Sequence, residues 1–129
     1  MDSITIDDFA KVELTIGKVL TADTIEGSDK LIRLMVDFGD PADLPAGRQI
    51  LSGIKKAYSP ESLVGRSFLF VTNLVPREMM RGLLNPQDPG VGEGGGLISN
   101  GMLLAVSDSE GTPVLYTLDK EVAPGTKAK

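Results

Sequence analysis

Between Gly47 and Arg81 the chain carries Arg48, Lys55, Lys56, Arg66, Arg77 and Arg81 against only Glu61 and Glu78, a local charge of +4. The rest has seven basic and sixteen acidic residues, which brings the whole to −5. A basic middle with acidic flanks suits the binding of anions, phosphates above all, on one positive face, although solvated surface is the plainer role of such clusters. Other chemistries fail on inventory. With no His and no Cys, the chain has no imidazole base, no thiolate nucleophile and no zinc site built from either. Its carboxylates are scattered or lie in turn-like stretches such as Asp37-Phe38-Gly39-Asp40, where solvated loop residues are expected. These features point to a binding module without an active site, metal or cofactor.

The elements that must position the basic residues are mostly short strands. Val12, Leu14 and Ile16 alternate with polar residues up to Gly17, where a bulge or sharp bend is expected. Ile32 to Phe38 alternates again, Arg48 to Ser52 makes a third strand, and Phe68, Phe70, Thr72 and Leu74 form one face of a fourth. Met102 to Val106 reads as a buried fifth strand and Val114 to Leu118 as a sixth, joined by the turn Asp108-Ser109-Glu110-Gly111. Ser59-Pro60-Glu61-Ser62-Leu63-Val64-Gly65 is the clearest helix signal, with Ser as cap, Pro first and Gly just past the end. Asp7 is a second candidate cap, for a single turn through Lys11. Three strands, a short helix and two more strands is the order of an OB-fold, so the expected class is all-β. The expected architecture is a five-stranded OB-fold barrel with a short helix between strands 3 and 4 and a C-terminal β extension.

Length, at 129 residues, fits one domain covering 1–129. No apolar run approaches the roughly 20 residues of a membrane helix, and the start is acidic rather than basic, so no membrane association and a cytoplasmic location are expected. From about 83 to 98 the chain is rich in Gly and Pro, with no following Lys or helix to make a phosphate loop, and reads as a flexible surface loop.

Several stretches together resemble the tRNA-binding domain family. They are Val12-Glu13-Leu14-Thr15-Ile16-Gly17-Lys18-Val19, Ser28-Asp29-Lys30-Leu31, Val36-Asp37-Phe38-Gly39 and Arg48-Gln49-Ile50-Leu51-Ser52-Gly53-Ile54. Tyr58 to Arg66, Asn73-Leu74-Val75-Pro76-Arg77, Met80-Arg81-Gly82 and Ser99-Asn100-Gly101-Met102-Leu103-Leu104-Ala105 follow in the family's order. That family includes the C-terminal extension or separate beta subunit of methionyl-tRNA synthetases and free-standing structure-specific tRNA-binding proteins. The resemblance implies a non-catalytic accessory module that docks folded tRNA through backbone and shape contacts. It also implies a homodimer and a synthetase catalytic domain as possible partners. A related branch acts as secretion-associated chaperones, which makes a protein-binding module the alternative. The chain departs from the family twice. A Gly-rich segment is inserted after Met80-Arg81-Gly82, and Thr15 stands where the family usually has Lys or Arg.

On this reading the RNA-binding candidates are Lys30, Arg48, Ser52, Lys55, Lys56, Asn73, Arg77, Met80, Arg81, Ser99, Asn100 and Met102. Lys30 stands before the second strand, where the family's matching Lys meets the tRNA backbone; the plainer role is to keep a sheet edge soluble. Arg48 and the Ser52-Gly53 turn would admit a phosphate or sugar closely. Lys55 and Lys56, adjacent on a loop, should be exposed. Arg77 and Arg81 flank Met79-Met80, offering phosphate forks beside a soft apolar contact for an unstacked base, against packing as the commoner role of Met. The Asn73 amide is suited to a base edge or to the following turn. Ser99, Asn100 and Met102 are candidates by resemblance alone. Only four Phe and two Tyr are present, and Phe68 and Phe70 look like core. That favours shape and backbone over stacking on single strands.

Overall fold

The computed structural model describes residues 2–128. An N-terminal helical turn, α1 (Ile6–Ala10), precedes β1 (Leu14–Thr24), β2 (Ile32–Asp37), β3 (Arg48–Ser52) and β4 (Ser67–Val71). Then come β5 (Arg77–Met79), β6 (Leu97–Ser99), β7 (Met102–Leu103), β8 (Ala105–Ser107) and β9 (Pro113–Leu115). The main sheet has the order β3-β2-β1-β4-β7, all antiparallel. Its two ends meet through single bonds rather than a ladder: the Asn100 amide donates to the Gln49 carbonyl at 2.9 Å, and Leu51 N–H to Ser99 Oγ at 3.0 Å. The result is a nearly closed five-stranded barrel.

Period-two alternation explains the core. Ile32, Leu34 and Val36 point inward from β2 and meet Ile50 of β3, Phe68 and Phe70 of β4, Leu63 and Leu103. Phe38 packs edge-on to Phe70, with ring centroids 5.1 Å apart. The sequence placed Phe68 and Phe70 inside, and they are buried.

β1 runs through Gly17 to Thr24, and its irregularity falls between Val19 and Thr21 instead. Gly17 is required for packing: a Cβ there would stand 2.5 Å from both Phe38 and Val36 side chains. The tail also changes the reading of this strand. Ile16 N–H donates to the Thr126 carbonyl, Gly125 N–H to the Ile16 carbonyl and Ala128 N–H to the Leu14 carbonyl, so the tail pairs along the edge of β1 that β2 leaves free. Thr15, only 4% exposed, is therefore buried and spends its hydroxyl on Thr72 Oγ1 at 2.8 Å.

The helix expected at 59–65 is a single 3₁₀ turn, Pro60–Ser62, and the Ser59 side chain makes no cap bond; Ser62 Oγ donates to the Ser59 carbonyl instead. Thr5, not Asp7, caps α1, its Oγ1 accepting from Asp8 N–H while the Asp8 carboxylate accepts from Thr5 N–H. The fourth strand ends at Val71, which leaves Leu74 exposed. The expected fifth strand divides at Leu104 into β7 and β8, and Val106 is exposed because β8 leaves the barrel to pair with β9. This hairpin is the C-terminal β extension; Tyr58 Oη accepts from Leu115 N–H at 3.1 Å and pins it to the barrel.

The inserted segment is mostly turns, closed by a short strand and tied down by hydrogen bonds. It contains β6, which pairs with β5 in register Arg77–Ser99, Glu78–Ile98, Met79–Leu97. Gly82 and Leu84 N–H donate to the Gly94 and Gly95 carbonyls, and Gly92 N–H to Gly96. The Glu78 carboxylate accepts from both Gly94 and Gly96 N–H at 3.2 Å. Leu97 is buried in a second apolar cluster with Ile25 and Leu51. No helix among the described residues is long and apolar enough to cross a membrane.

Candidate nucleic-acid interface

The outer side of β2 and β3 carries Arg33 opposite Leu51 and Met35 opposite Gln49. In OB-folds this face and the loops beside it commonly hold oligonucleotides. Here the inserted segment folds against it. Gln49, 6% exposed, donates from Nε2 to the carbonyls of Gly90 and Ile98, at 3.0 and 2.8 Å. Between the insertion and the strands lies a cleft of about 590 Å³. Its lining includes Arg33, Met35, Thr72, Leu74, Pro89 and Gly90.

Two of the expected site residues line this cleft, Arg48 and Asn100. Arg48 is held on three sides. Its guanidinium lies 4.9 Å from the Phe38 ring centroid, Nη1 donates to the Thr72 carbonyl at 3.2 Å, and Nε is 3.6 Å from Asp43 Oδ2. Three others share a neighbouring cleft of about 410 Å³: Arg77, Ser99 and Met102, with Leu74, Val75 and Met79. Leu74 belongs to both clefts. Arg77 is exposed and has no ion pair among the described residues. Ser99 is buried, and its hydroxyl serves the barrel seam through Leu51 N–H and the Gly101 carbonyl.

The remaining candidates lie apart from these two clefts. Lys30 and Lys56 flank Gly53 in a separate depression of about 290 Å³, beside Gly111 and Thr112. Lys55 Nζ donates to the Ser28 carbonyl at 2.9 Å, and half-buried Ser52 ends β3 opposite Ile32. Met80 is half-buried against the Ile25, Leu51 and Leu97 cluster, with φ of 60°. Arg81 is exposed, its Nε 3.3 Å from Glu78 Oε2. The Asn73 amide is spent on the N-terminal segment: Oδ1 accepts from Glu13 N–H at 2.9 Å and Nδ2 donates to the Lys11 carbonyl at 2.6 Å.

Sequence reasoning passed over Arg33, Asp43 and Gln49. Arg33 had a signal, since it alternates outward on the second strand of an expected OB-fold. Asp43 and Gln49 had none, because their settings come from other parts of the fold: Arg48 for Asp43, and the Gly90 and Ile98 carbonyls of the inserted loop for Gln49.

Beside the first cleft, Thr72 Oγ1 donates to the Glu13 carboxylate at 2.7 Å, and Lys127 Nζ lies 3.0 Å from its other oxygen. The Thr72 bond chiefly, then Lys127, holds the Glu13 carboxyl below its ordinary value of 4.5.

Order, register and closure define a barrel of the OB class. Residues 14–127 match the family model "Putative tRNA binding domain", and the chain belongs to that family. It is 41% identical over 98% of its length to a methionine–tRNA ligase of Caldanaerobacter subterraneus subsp. tengcongensis, and 44% identical over 98% to one of an Azoarcus species. It spans only 17% and 16% of those relatives. Among solved structures it is similar to a MetRS-related protein from Pyrococcus horikoshii, with TM-score 0.80, 31% identity and full coverage of both chains. It is also similar to the chaperone CsaA of Bacillus anthracis, with TM-score 0.75 and 26% identity over 99% of this chain and all of that one. The chain is thus a non-catalytic tRNA-binding module.

Proposed function

We propose that this module holds folded tRNA against the paired clefts that meet at Leu74, and does so in the cytoplasm as part of a methionyl-tRNA synthetase, as its C-terminal domain or beta subunit. One observation carries the reading. Arg77, exposed and free of any ion pair among the described residues, lines a cleft next to the strand 2–3 face. Arg33 and Arg48 line that face in a chain that is acidic elsewhere. Lys30 and Lys56, exposed in a separate depression, would be further phosphate contacts outside the clefts. A tethered module of this kind raises the local concentration of tRNA near a catalytic domain, so modest intrinsic affinity suffices. The test is affinity for unfractionated tRNA at rising salt, with Arg77→Ala and Arg81→Ala beside the parent chain. Affinity should fall steeply with salt and further with each substitution; a flat salt response removes the phosphate-contact mechanism.

We further propose that the module works as a homodimer. Ile4, Ile6, Phe9 and Val12 leave an apolar surface at the N-terminal turn, as do Val106, Val114, Tyr116 and Leu118 on the β8–β9 side. Sedimentation equilibrium tests this; a monomer at all concentrations overturns it.

A protein-binding role has one observation in its favour: Val75, 87% exposed, continues an apolar groove formed by Leu74, Met79 and Met102. Displacement of bound tRNA by an unfolded polypeptide would support that second role. Arg77 on the rim of the groove favours RNA.

A further inference from the structure

Asn100 and Gly101 join β6 to β7 at the seam of the barrel. Both are half-buried, and Asn100 lines the larger cleft together with Arg33 and Arg48. Its backbone N–H makes the 2.9 Å bond to the Gln49 carbonyl, while its side-chain Nδ2 reaches the same oxygen only at 3.5 Å. That long contact is the sole hydrogen bond of the carboxamide among the described residues. Gly101 accepts from Ser99 Oγ through its carbonyl at 3.1 Å, but its N–H donates to no acceptor among the described residues. Gly101 has φ of +146°, and a Cβ would stand 2.9 Å from the Val71 carbonyl oxygen, so the place is built for glycine. A loosely held carboxamide is thus followed by an unbonded backbone N–H with no side chain to shield it. Those are the conditions under which an asparagine loses its amide by ring closure.

We propose that Asn100 is a site of spontaneous deamidation and that its conversion weakens tRNA binding at the larger cleft; the second half rests on the tRNA-binding reading. The Gly101 nitrogen gives up its proton to hydroxide and attacks Asn100 Cγ. A C–N bond forms, the Cγ–Nδ2 bond breaks, and the amide leaves as ammonia, which closes a succinimide ring. Water then opens the ring. Cleavage between the Gly101 nitrogen and Cγ gives aspartate, and cleavage between that nitrogen and the Asn100 main-chain carbonyl carbon gives isoaspartate. The chain offers no second site of this kind. Asn85 precedes Pro86, which has no N–H, and Asn73 precedes branched Leu74 with its carboxamide bonded to Glu13 and Lys11. No Asp-Gly pair is present to add isoaspartate by another route. Either product puts a carboxylate into a cleft whose cationic lining is Arg33 and Arg48, where it repels phosphate. It also replaces the donor facing the Gln49 carbonyl by an acceptor, and isoaspartate lengthens the main chain beside the N–H that helps close the barrel.

The experiment incubates the folded chain at neutral and at mildly alkaline pH, with Asn100→Gln beside it. Intact mass and peptide maps that separate aspartate from isoaspartate follow the reaction. The parent should gain the mass of an amide turned to an acid, faster at alkaline pH, with both products confined to Asn100. Asn100→Gln should keep its mass, because its longer side chain must close a larger ring. A parent that stays unmodified while the free peptide spanning 97–103 deamidates overturns the proposal, since the fold then protects the pair. The affinity for unfractionated tRNA is then measured at low salt for fresh parent, aged parent and Asn100→Asp. The aged parent and Asn100→Asp should bind about tenfold more weakly than the fresh chain. Equal affinity of aged and fresh protein overturns the effect on the cleft. A fresh parent that binds no tRNA overturns the tRNA-binding reading instead and leaves the mass result standing. The aged parent acquires its carboxylate after folding, so a folding defect in Asn100→Asp does not blunt the comparison.

Discussion

The side-chain amide of Gln49, on the third strand of the barrel, donates to the carbonyl of Gly90 in the inserted segment at 3.0 Å. A second bond to Ile98 makes this one side chain a clamp between barrel and insertion. Gln49→Ala would remove both side-chain bonds at a part-buried junction, leaving the Gly90 carbonyl only the Ile98 N–H. The expected cost is about 1–3 kcal/mol of unfolding free energy, read from the denaturant midpoint, with faster amide exchange at Gly92, Gly95 and Ile98. Unchanged exchange there would mean that the Glu78 anchor holds the segment alone.

Gly90 is the complementary half of that junction. It has φ of +78°, and a Cβ would stand 2.7 Å from Gln49 Oε1. Gly82 has a similar φ of +85° with open space around it. Gly82→Ala therefore reports the left-handed backbone cost alone, about 1–2 kcal/mol, and Gly90→Ala reports that cost plus the clash. Thermal melts of the two variants should place Gly90→Ala clearly lower. Equal midpoints would show that the Gln49 side chain yields without penalty.

The barrel was legible because alternation in Ile32–Phe38 and the order of the strands are local signals that burial then follows. The covering of β1 was not. It depends on Thr126 and its neighbours returning across the whole chain to bond Ile16, and nothing near Thr15 announces that its hydroxyl will be buried. The same holds for the site. Arg77 is an exposed Arg wherever its neighbours lie, so its availability was readable. The sequence suits Asn73 to a base edge or the following turn and offers Ser99 by resemblance alone; distant backbone at Lys11, Glu13 and Leu51 bonds them instead. The backbone bonds within the segment expected as a surface loop, and its anchors on Gln49 and Glu78, were not legible, because Gly-rich composition carries no periodic signal for them.

Glu13 gives a pH dependence with a definite sign. Its carboxyl is held below 4.5 in the folded chain, chiefly by Thr72 and then by Lys127. The unfolded chain therefore binds the proton more readily, and this contribution is complete above about pH 4.5 and lost as pH falls through the lower folded value. Since Glu13 is partly exposed, solvent screens the effect and keeps it small. Thr72→Val should flatten the acid limb of stability below pH 4.5 relative to the parent. An unaltered limb would assign the shift to Lys127 instead.

Arg48 and Arg77 separate folding from binding. Arg48 sits over the Phe38 ring, bonds the Thr72 carbonyl and pairs with Asp43, all at the barrel end, so its guanidinium belongs to the packing as much as to the cleft. Arg48→Met keeps the aliphatic length but loses the ring contact and the carbonyl bond, with an expected loss of about 1–3 kcal/mol in stability. Arg48→Lys keeps the charge and loses the planar fork, so it should recover only part of that loss. Arg77 is exposed on β5 with no ion pair among the described residues. Arg77→Ala should leave the melting temperature within error of the parent while weakening tRNA binding and lowering the slope of log affinity against log salt by about one. Melts and salt titrations on the same three variants decide the matter. A destabilised Arg77→Ala, or an Arg48→Met as stable as the parent, would reverse the division of labour between the two arginines.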